Sequence, residues 1–261
     1  MNTSSHNCID HHLQIKNLTV SYNRVPAVHH LSVQIDCGAC VAVIGPNGAG
    51  KTTLLKAVAR LLPFETGEIN FHSHAGHDHS SVFAYLPQRE KVDWDFPLTV
   101  RGLAELGRYS QLGWRKPFTA RDEEKVTEAL HTMGLCDLAD RQIKALSGGQ
   151  QQRAFLARAL AQEAHVFLLD EPFTGLDVTS QVALGRTIKS LAEKGNLVMA
   201  AHHDLDNVHK FYSHILFING ELIDYGPVAK VHTPENIKRT YNTPVFSGPH
   251  PSHPHHHHDV S

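Results

Sequence analysis

Residues 45–52 read Gly45-Pro46-Asn47-Gly48-Ala49-Gly50-Lys51-Thr52, a complete glycine-rich phosphate-loop pattern. The pattern follows an apolar run at 40–44 that shows no polar alternation. It opens a stretch at 51–62 rich in helix formers and stopped by Pro63. Buried strand, glycine loop and helix in this order predict a parallel α/β sheet with an anion site at the helix start. The glycines let successive backbone N–H groups curl around phosphate oxygens at the positive end of the helix. Lys51 supplies a point charge to the β- and γ-phosphates, and the Thr52 hydroxyl can ligate Mg²⁺, with Thr53 following in the same nucleotide-binding set.

The rest of the chain fits that frame. Strands are predicted at 13–21, 31–35, 68–72, 82–86, 166–169 and 197–201, a mainly helical stretch at about 99–162, a helix at about 178–193, and a hairpin at 215–218 and 221–225 around Asn219-Gly220. Strands alternating with helices predict a mainly parallel sheet, and 261 residues suit one enlarged α/β domain. Hydrophobic residues at 41% and charged residues at 19% exclude both a charge-rich disordered chain and a multi-span membrane protein. With 24 basic and 26 acidic residues there is no basic footprint, so no nucleic-acid partner is expected. The start, Met1-Asn2-Thr3-Ser4-Ser5-His6-Asn7, lacks a secretory pattern, and no apolar run approaches the ~20 residues that span a bilayer, so a cytoplasmic chain is expected. Cys8, Cys37, Cys40 and Cys136 are scattered; Cys37-x-x-Cys40 has no second pair and is expected to be structural. From about Thr243 the sequence turns to Pro, His and Ser, which predicts a disordered tail over 243–261.

Two further motifs carry chemistry. The apolar strand at 166–169 ends in Asp170-Glu171, at the sheet edge where ligands of open parallel sheets bind. Asp170 is the expected Mg²⁺ partner, and Glu171 is placed to orient and deprotonate a water for attack on the γ-phosphate. Between the two motifs, Leu146-Ser147-Gly148-Gly149-Gln150 runs into a helix, a second anion-binding helix start in which Ser147 can cap. The chain already has one phosphate site, so this second donor set calls for another nucleotide.

The ordered set of phosphate loop, Leu-Ser-Gly-Gly-Gln and Asp-Glu-Pro resembles the ATPase subunits of ABC transporters, over about residues 13–242. The resemblance implies an ABC ATPase domain over 1–242 with a mainly parallel core sheet, an antiparallel β-subdomain and an inserted helical subdomain at about 90–164. It implies ATP and Mg²⁺ as ligands. It also implies a homodimer that sandwiches two ATP molecules, with Ser147, Gly148, Gly149 and Gln150 of one chain facing the γ-phosphate held by the other. On the same footing Tyr22 matches the aromatic that stacks on adenine, and Gln88 the glutamine that senses Mg²⁺ and couples to membrane subunits. Asp177, in Gly175-Leu176-Asp177, matches the dimer-facing D-loop. The switch histidine maps onto His203 rather than His202, because His203 directly precedes Asp204. The implied catalytic set is Glu171, His203, Gln88 and Lys51. The implied setting is peripheral, on the cytoplasmic face of the inner membrane against integral permease subunits.

Two features bear on cargo. The segment at 85–100, with Trp94 and Phe96, resembles the importer group that takes up manganese, zinc or ferrous iron, in which an extracytoplasmic binding protein delivers the metal. Among 22 histidines, His72, His74, His77 and His79 cluster with Asp78, and His255, His256, His257 and His258 lie in the tail. Clustered imidazoles suit zinc, copper or nickel, whereas manganese prefers harder oxygen ligands. The expected function is thus ATP hydrolysis that powers divalent-metal import, with manganese or zinc ahead of iron. The alternatives are a soluble ABC ATPase uncoupled from transport and an ABC ATPase for a non-metal cargo.

Overall fold

The computed structural model describes residues 11–72, 82–88, 92, 94, 96–112 and 116–242. Among the described residues nine strands form two sheets: β1 (His12–Tyr22), β2 (Val25–Asp36), β3 (Cys40–Ile44), β4 (Thr66–His72), β5 (Phe83–Leu86), β6 (Val166–Asp170), β7 (Leu197–His202), β8 (His214–Asn219) and β9 (Glu221–Pro227). The larger sheet has the order β5-β6-β7-β3-β8-β9, parallel throughout except for the antiparallel edge strand β9. The smaller is antiparallel, β2-β1-β4. The helices are α1 (Lys51–Val58), α2 (Val100–Leu112), α3 (Ala120–Thr132), α4 (Gly148–Ala161), α5 (Val178–Glu193), α6 (Val208–Phe211), α7 (Val228–Val231) and α8 (Pro234–Asn242).

The apolar runs without alternation are explained by cover on both faces of the larger sheet. Ala42 and Ile44 of β3, Phe167 and Leu169 of β6, and Val198 and Ala200 of β7 point into a core shared with α2 to α5. Their neighbours Val41, Val43, Val166, Leu168, Leu197 and Met199 point the opposite way, into a core shared with α1 and the antiparallel sheet. In the helical region α2 and α4 touch backbone to backbone, for a Cβ on Gly107 would lie 2.2 Å from the Arg158 carbonyl oxygen. Next to it the buried Arg108 donates from Nε to Asp122 Oδ1 at 2.9 Å, and from Nη1 to the Ala161 carbonyl and Glu163 Oε2 at 2.8 Å each. One guanidinium thereby ties α2 to α3 and to the end of α4.

Three expectations change in detail. The helix expected over 51–62 ends at Val58, because Arg60 adopts a left-handed φ of 60° and turns its guanidinium back to the Ile69 carbonyl and the face of Phe64. In the β8–β9 hairpin only Gly220 has positive φ, 74°, so the turn pivots on one residue rather than two. The helix α8, which was not expected, starts with Thr233 Oγ1 accepting from the Asn236 N–H and Pro234 in its first turn. It grips the hairpin through Asn219 Nδ2 on the Thr240 carbonyl at 3.1 Å and Asn236 Nδ2 on Asp224.

Candidate nucleotide site

The glycine loop bridges the C-terminal end of β3 and the start of α1, and it is braced from behind. Gly48 and Gly50 take φ of 82° and 92°, which a side chain would strain, and a Cβ on Gly50 would meet the Ala27 carbonyl at 2.3 Å. A Cβ on Gly45 would lie 2.0 Å from the Ile218 carbonyl of β8. The hairpin then closes the support: Gly220 donates its N–H to the Ala49 carbonyl at 3.0 Å and accepts from the His29 N–H at 2.7 Å. The loop, β2 and the hairpin are thus joined through one glycine.

Inside the loop, the buried Lys51 donates from Nζ to the carbonyls of Gly45 at 2.7 Å and Pro46 at 2.9 Å. Burial pulls its ammonium below the usual lysine range, against the opposing pull of the Glu171 and Asp170 carboxylates. Thr52 Oγ1 donates to Asp170, 2.8 Å from Oδ1 and 3.1 Å from Oδ2. The strand register explains this meeting, since β3 and β6 flank β7 and both end at the same sheet edge. Asp170 has a second donor that sequence reasoning did not single out, Tyr85 Oη at 3.0 Å from Oδ2. Burial, with Asp170 adding to it, holds the Tyr85 phenol well above the usual tyrosine range, so it remains a proton donor.

Glu171 follows with φ of 51°, a left-handed conformation uncommon for a residue with a side chain, and its Oε2 accepts from Thr174 Oγ1 at 3.2 Å. On the neighbouring strand His202 is the last residue of β7, pairs with Ile44 and is buried, whereas His203 is exposed and opens the following loop. The His202 ring lies against Phe173, Tyr212 and His203, with centroids 5.7, 5.3 and 5.9 Å away. Burial, and secondarily His203, lowers its pKa to about 4. Tyr22 is exposed at the end of β1, and Gln88 is half-buried two residues beyond β5.

The second motif lies apart from these groups. Ser147 caps α4 in a reciprocal box: its Oγ accepts from the Gln150 N–H, and its own N–H donates to Gln150 Oε1 at 2.9 Å. Asp177 caps α5, accepting from the Ser180 N–H at 2.9 Å and from Ser180 Oγ at 2.7 Å. The two caps meet, for a Cβ on Gly149 would fall 2.9 Å from Ser180 Oγ. Further along the same region the Trp94 indole packs edge-on against Phe155 at 5.7 Å, and Phe96 is exposed.

Of the histidine clusters, His72 ends β4; His74, His77, His79 and His255 to His258 lie outside the described residues. Among the described residues, no three His, Cys, Asp or Glu side chains converge as a metal site, and no helix is long and apolar enough to cross a membrane.

The description "ABC transporter" belongs to the family profile that matches residues 28–174. A manganese transport system ATP-binding protein of Halalkalibacterium halodurans is 42% identical, over 90% of this chain and 94% of its own length. A zinc transport system ATP-binding protein of Treponema pallidum is 40% identical, over 90% of this chain and 88% of its own. Among solved structures, a dimeric bacterial ABC transporter cassette superposes with a TM-score of 0.67 at 26% identity, covering 83% of this chain and 98% of that one.

Proposed function

The chain belongs to the ABC transporter family as an ATP-binding, ATP-hydrolysing subunit, and from that premise we propose that it powers import of a divalent metal, manganese or zinc ahead of iron. The observation that carries the cargo is the near-full-length similarity to subunits named for manganese and for zinc transport. In this reading residues 1–242 act as one ATPase unit with the helical region at about 90–164 inserted. Two copies work as a homodimer on the cytoplasmic face of the membrane, against integral permease subunits that an extracytoplasmic metal-binding protein supplies. The exposed Phe96 and the half-buried Gln88 suit such a docking face.

The roles of the site follow from its chemistry. Residues 45–53 present backbone N–H groups and the Lys51 ammonium to the phosphates, and Tyr22 offers an exposed ring to the adenine. Mg²⁺ suits the donor set, because Thr52, Asp170 and Gln88 bring hard oxygens and the first two are already 2.8 Å apart. When bound, the ion neutralises charge developing on the phosphates. Glu171 takes the proton of the attacking water as that water bonds to the γ-phosphorus and the bond to the β-phosphate oxygen breaks, giving ADP and phosphate. His203 supports the γ-phosphate, and Ser147, Gly148, Gly149 and Gln150 serve the nucleotide of the partner copy.

Glu171→Gln tests the base: it is expected to bind ATP and hold it with turnover reduced by about 10²-fold or more, and wild-type hydrolysis would refute the role. Cells lacking the gene, grown under metal limitation and analysed for manganese, zinc and iron, test the cargo. A selective deficit in one metal names it, and equal contents of all three refute metal import while leaving the ATPase intact.

A further inference from the structure

The antiparallel sheet carries a pair of histidines that the nucleotide site does not use. Directly opposed residues of neighbouring strands share a face, and β1 pairs with β2 through His12 and Asp36 and with β4 through His12 and His72. One row across three strands therefore reads Asp36, His12, His72. It lies on the face opposite the buried side chains of Leu13, Ile35 and Phe71, with Asp36 and His72 exposed and His12 half-buried. The two imidazoles are stacked, with centroids 4.6 Å apart and planes inclined by 28°. Among the described residues, no hydrogen bond of the pair engages a ring nitrogen.

Side chains on directly opposed residues start about 4.5–5.5 Å apart at Cβ. Two imidazole nitrogens that bind one ion at about 2.0–2.1 Å each come about 3 Å from one another; the lone pairs lie in the ring planes, so both rings reach this geometry by turning out of their stack about the side-chain torsions. The backbone beneath does not have to move, since it is held in two ladders. We propose that His12 and His72 form a two-imidazole transition-metal site on the outer face of this sheet, with water completing the coordination shell. Imidazole donors fit ions of the zinc, nickel and copper type and disfavour manganese, which prefers oxygen. The site is remote from the nucleotide: β1 runs eleven residues, about 30 Å, from His12 to Tyr22. It stands whatever the transported cargo is.

The test is a zinc chloride titration of the full chain, labelled with ¹³C and ¹⁵N at histidine and followed through imidazole resonances assigned with His12→Gln and His72→Gln. In the wild type the His12 and His72 resonances should move together and saturate at one zinc concentration. In either single variant the remaining histidine should need about 10²-fold more zinc, because the second ligand is no longer supplied within the molecule. Magnesium, a diamagnetic ion that also prefers oxygen ligands, should leave both signals unmoved at the saturating zinc concentration. The exposed His72 gives a variant that keeps the fold, so its result stands even if His12→Gln perturbs β1. The proposal is overturned if zinc shifts other histidines and leaves these two unmoved, if His12 responds identically in wild type and His72→Gln, or if magnesium shifts the pair as readily as zinc does.

Discussion

Acid should destabilise this protein through one identifiable residue, His202. The ring is only 5% exposed, and its Nε2 has no partner among the described residues, so a proton there gains no hydrogen bond in return for lost hydration. Its pKa falls from 6.5 to about 4 through burial first and His203 second, against the opposing pull of Asp204 and Glu171. A fall from 6.5 to about 4 corresponds to about 3 kcal/mol. Because the folded value is the lower one, the unfolded chain binds the proton first, and stability is full above pH 6.5 and lost as pH falls towards 4. Between pH 7 and 4.5 the loss amounts to about 2.5 kcal/mol. Urea unfolding of wild type and His202→Leu at pH 7, 6, 5 and 4.5 isolates it. The variant starts less stable, because the ring packs on Phe173 and Tyr212. Its decline with acid should nonetheless be shallower by about 2.5 kcal/mol, carboxylates common to both chains cancelling in the difference. Parallel curves would mean that His202 is hydrated or already paired, and would refute the argument from burial.

Other expectations rest on single contacts. Arg108→Met leaves the buried Asp122 carboxylate without its cation; water reaches the Glu163 end of the network, so the cost should be about 2–3 kcal/mol, below that of a deep pair, and appear as a Tm lower by about 5–10 °C. Tyr85→Phe removes one of the donors to Asp170 and should cost about 1.5 kcal/mol by urea unfolding at pH 7. Since the folded phenol titrates above the unfolded one, wild type should also lose that advantage as pH rises beyond 10, and a gap constant to pH 11 would contradict the assignment. Gly45→Ala drives a Cβ into the Ile218 carbonyl and should cost about 3 kcal/mol in thermal unfolding together with loss of ATP binding; wild-type affinity would show that the hairpin does not brace the loop.

How much of this could be read beforehand depended on how local the signal was. The phosphate loop, the strand ending in Asp170 and the cap of α4 are written in consecutive residues, and the structure gives each the expected local form. The meeting of Thr52 with Asp170, 118 positions apart, is legible only through the Mg²⁺ assigned to both, since the strand order that joins them is not written locally. Tyr85 was passed over because its role depends on the side-by-side placing of β5 and β6, which no local pattern encodes. Arg108, Asp122 and Glu163 look like ordinary surface charges of helices and become a buried network only through packing. The helix α8 was a different failure, since Thr233-Pro234-Glu235 is a legible start signal that the tail-like composition downstream obscured. Arg60 shows the converse, a helix expected to run to Pro63 but ended earlier by a long-range contact to β4.

The position of the second motif supports the proposed pairing of two copies. Asp170 of β6 meets the phosphate loop through Thr52, and Tyr85 of β5 meets Asp170 in turn, both at the sheet edge where β3 runs into the loop. The start of α4 does not join them; it sits on the start of α5, with Gly149 against Ser180 and Ser180 held by Asp177. The Ser147 box engages the Gln150 N–H, and the Ser147 carbonyl takes that of Gln151, while among the described residues no hydrogen bond occupies the N–H groups of Gly148 and Gly149. Two adjacent donors at the positive end of a 14-residue helix suit an anion, and the chain's own loop serves a nucleotide elsewhere. A phosphate brought by a second copy meets that requirement, in keeping with the dimeric form of a related cassette. It would also press on Gly149, and through Ser180 on the cap of α5, so that nucleotide bound at one chain is felt at Asp177 of the other. Gly149→Ala tests this contact: the added methyl displaces Ser180, and it should weaken ATP-dependent dimerisation in gel filtration of the Glu171→Gln background while leaving ATP binding to the phosphate loop intact, whereas unchanged dimerisation would contradict it.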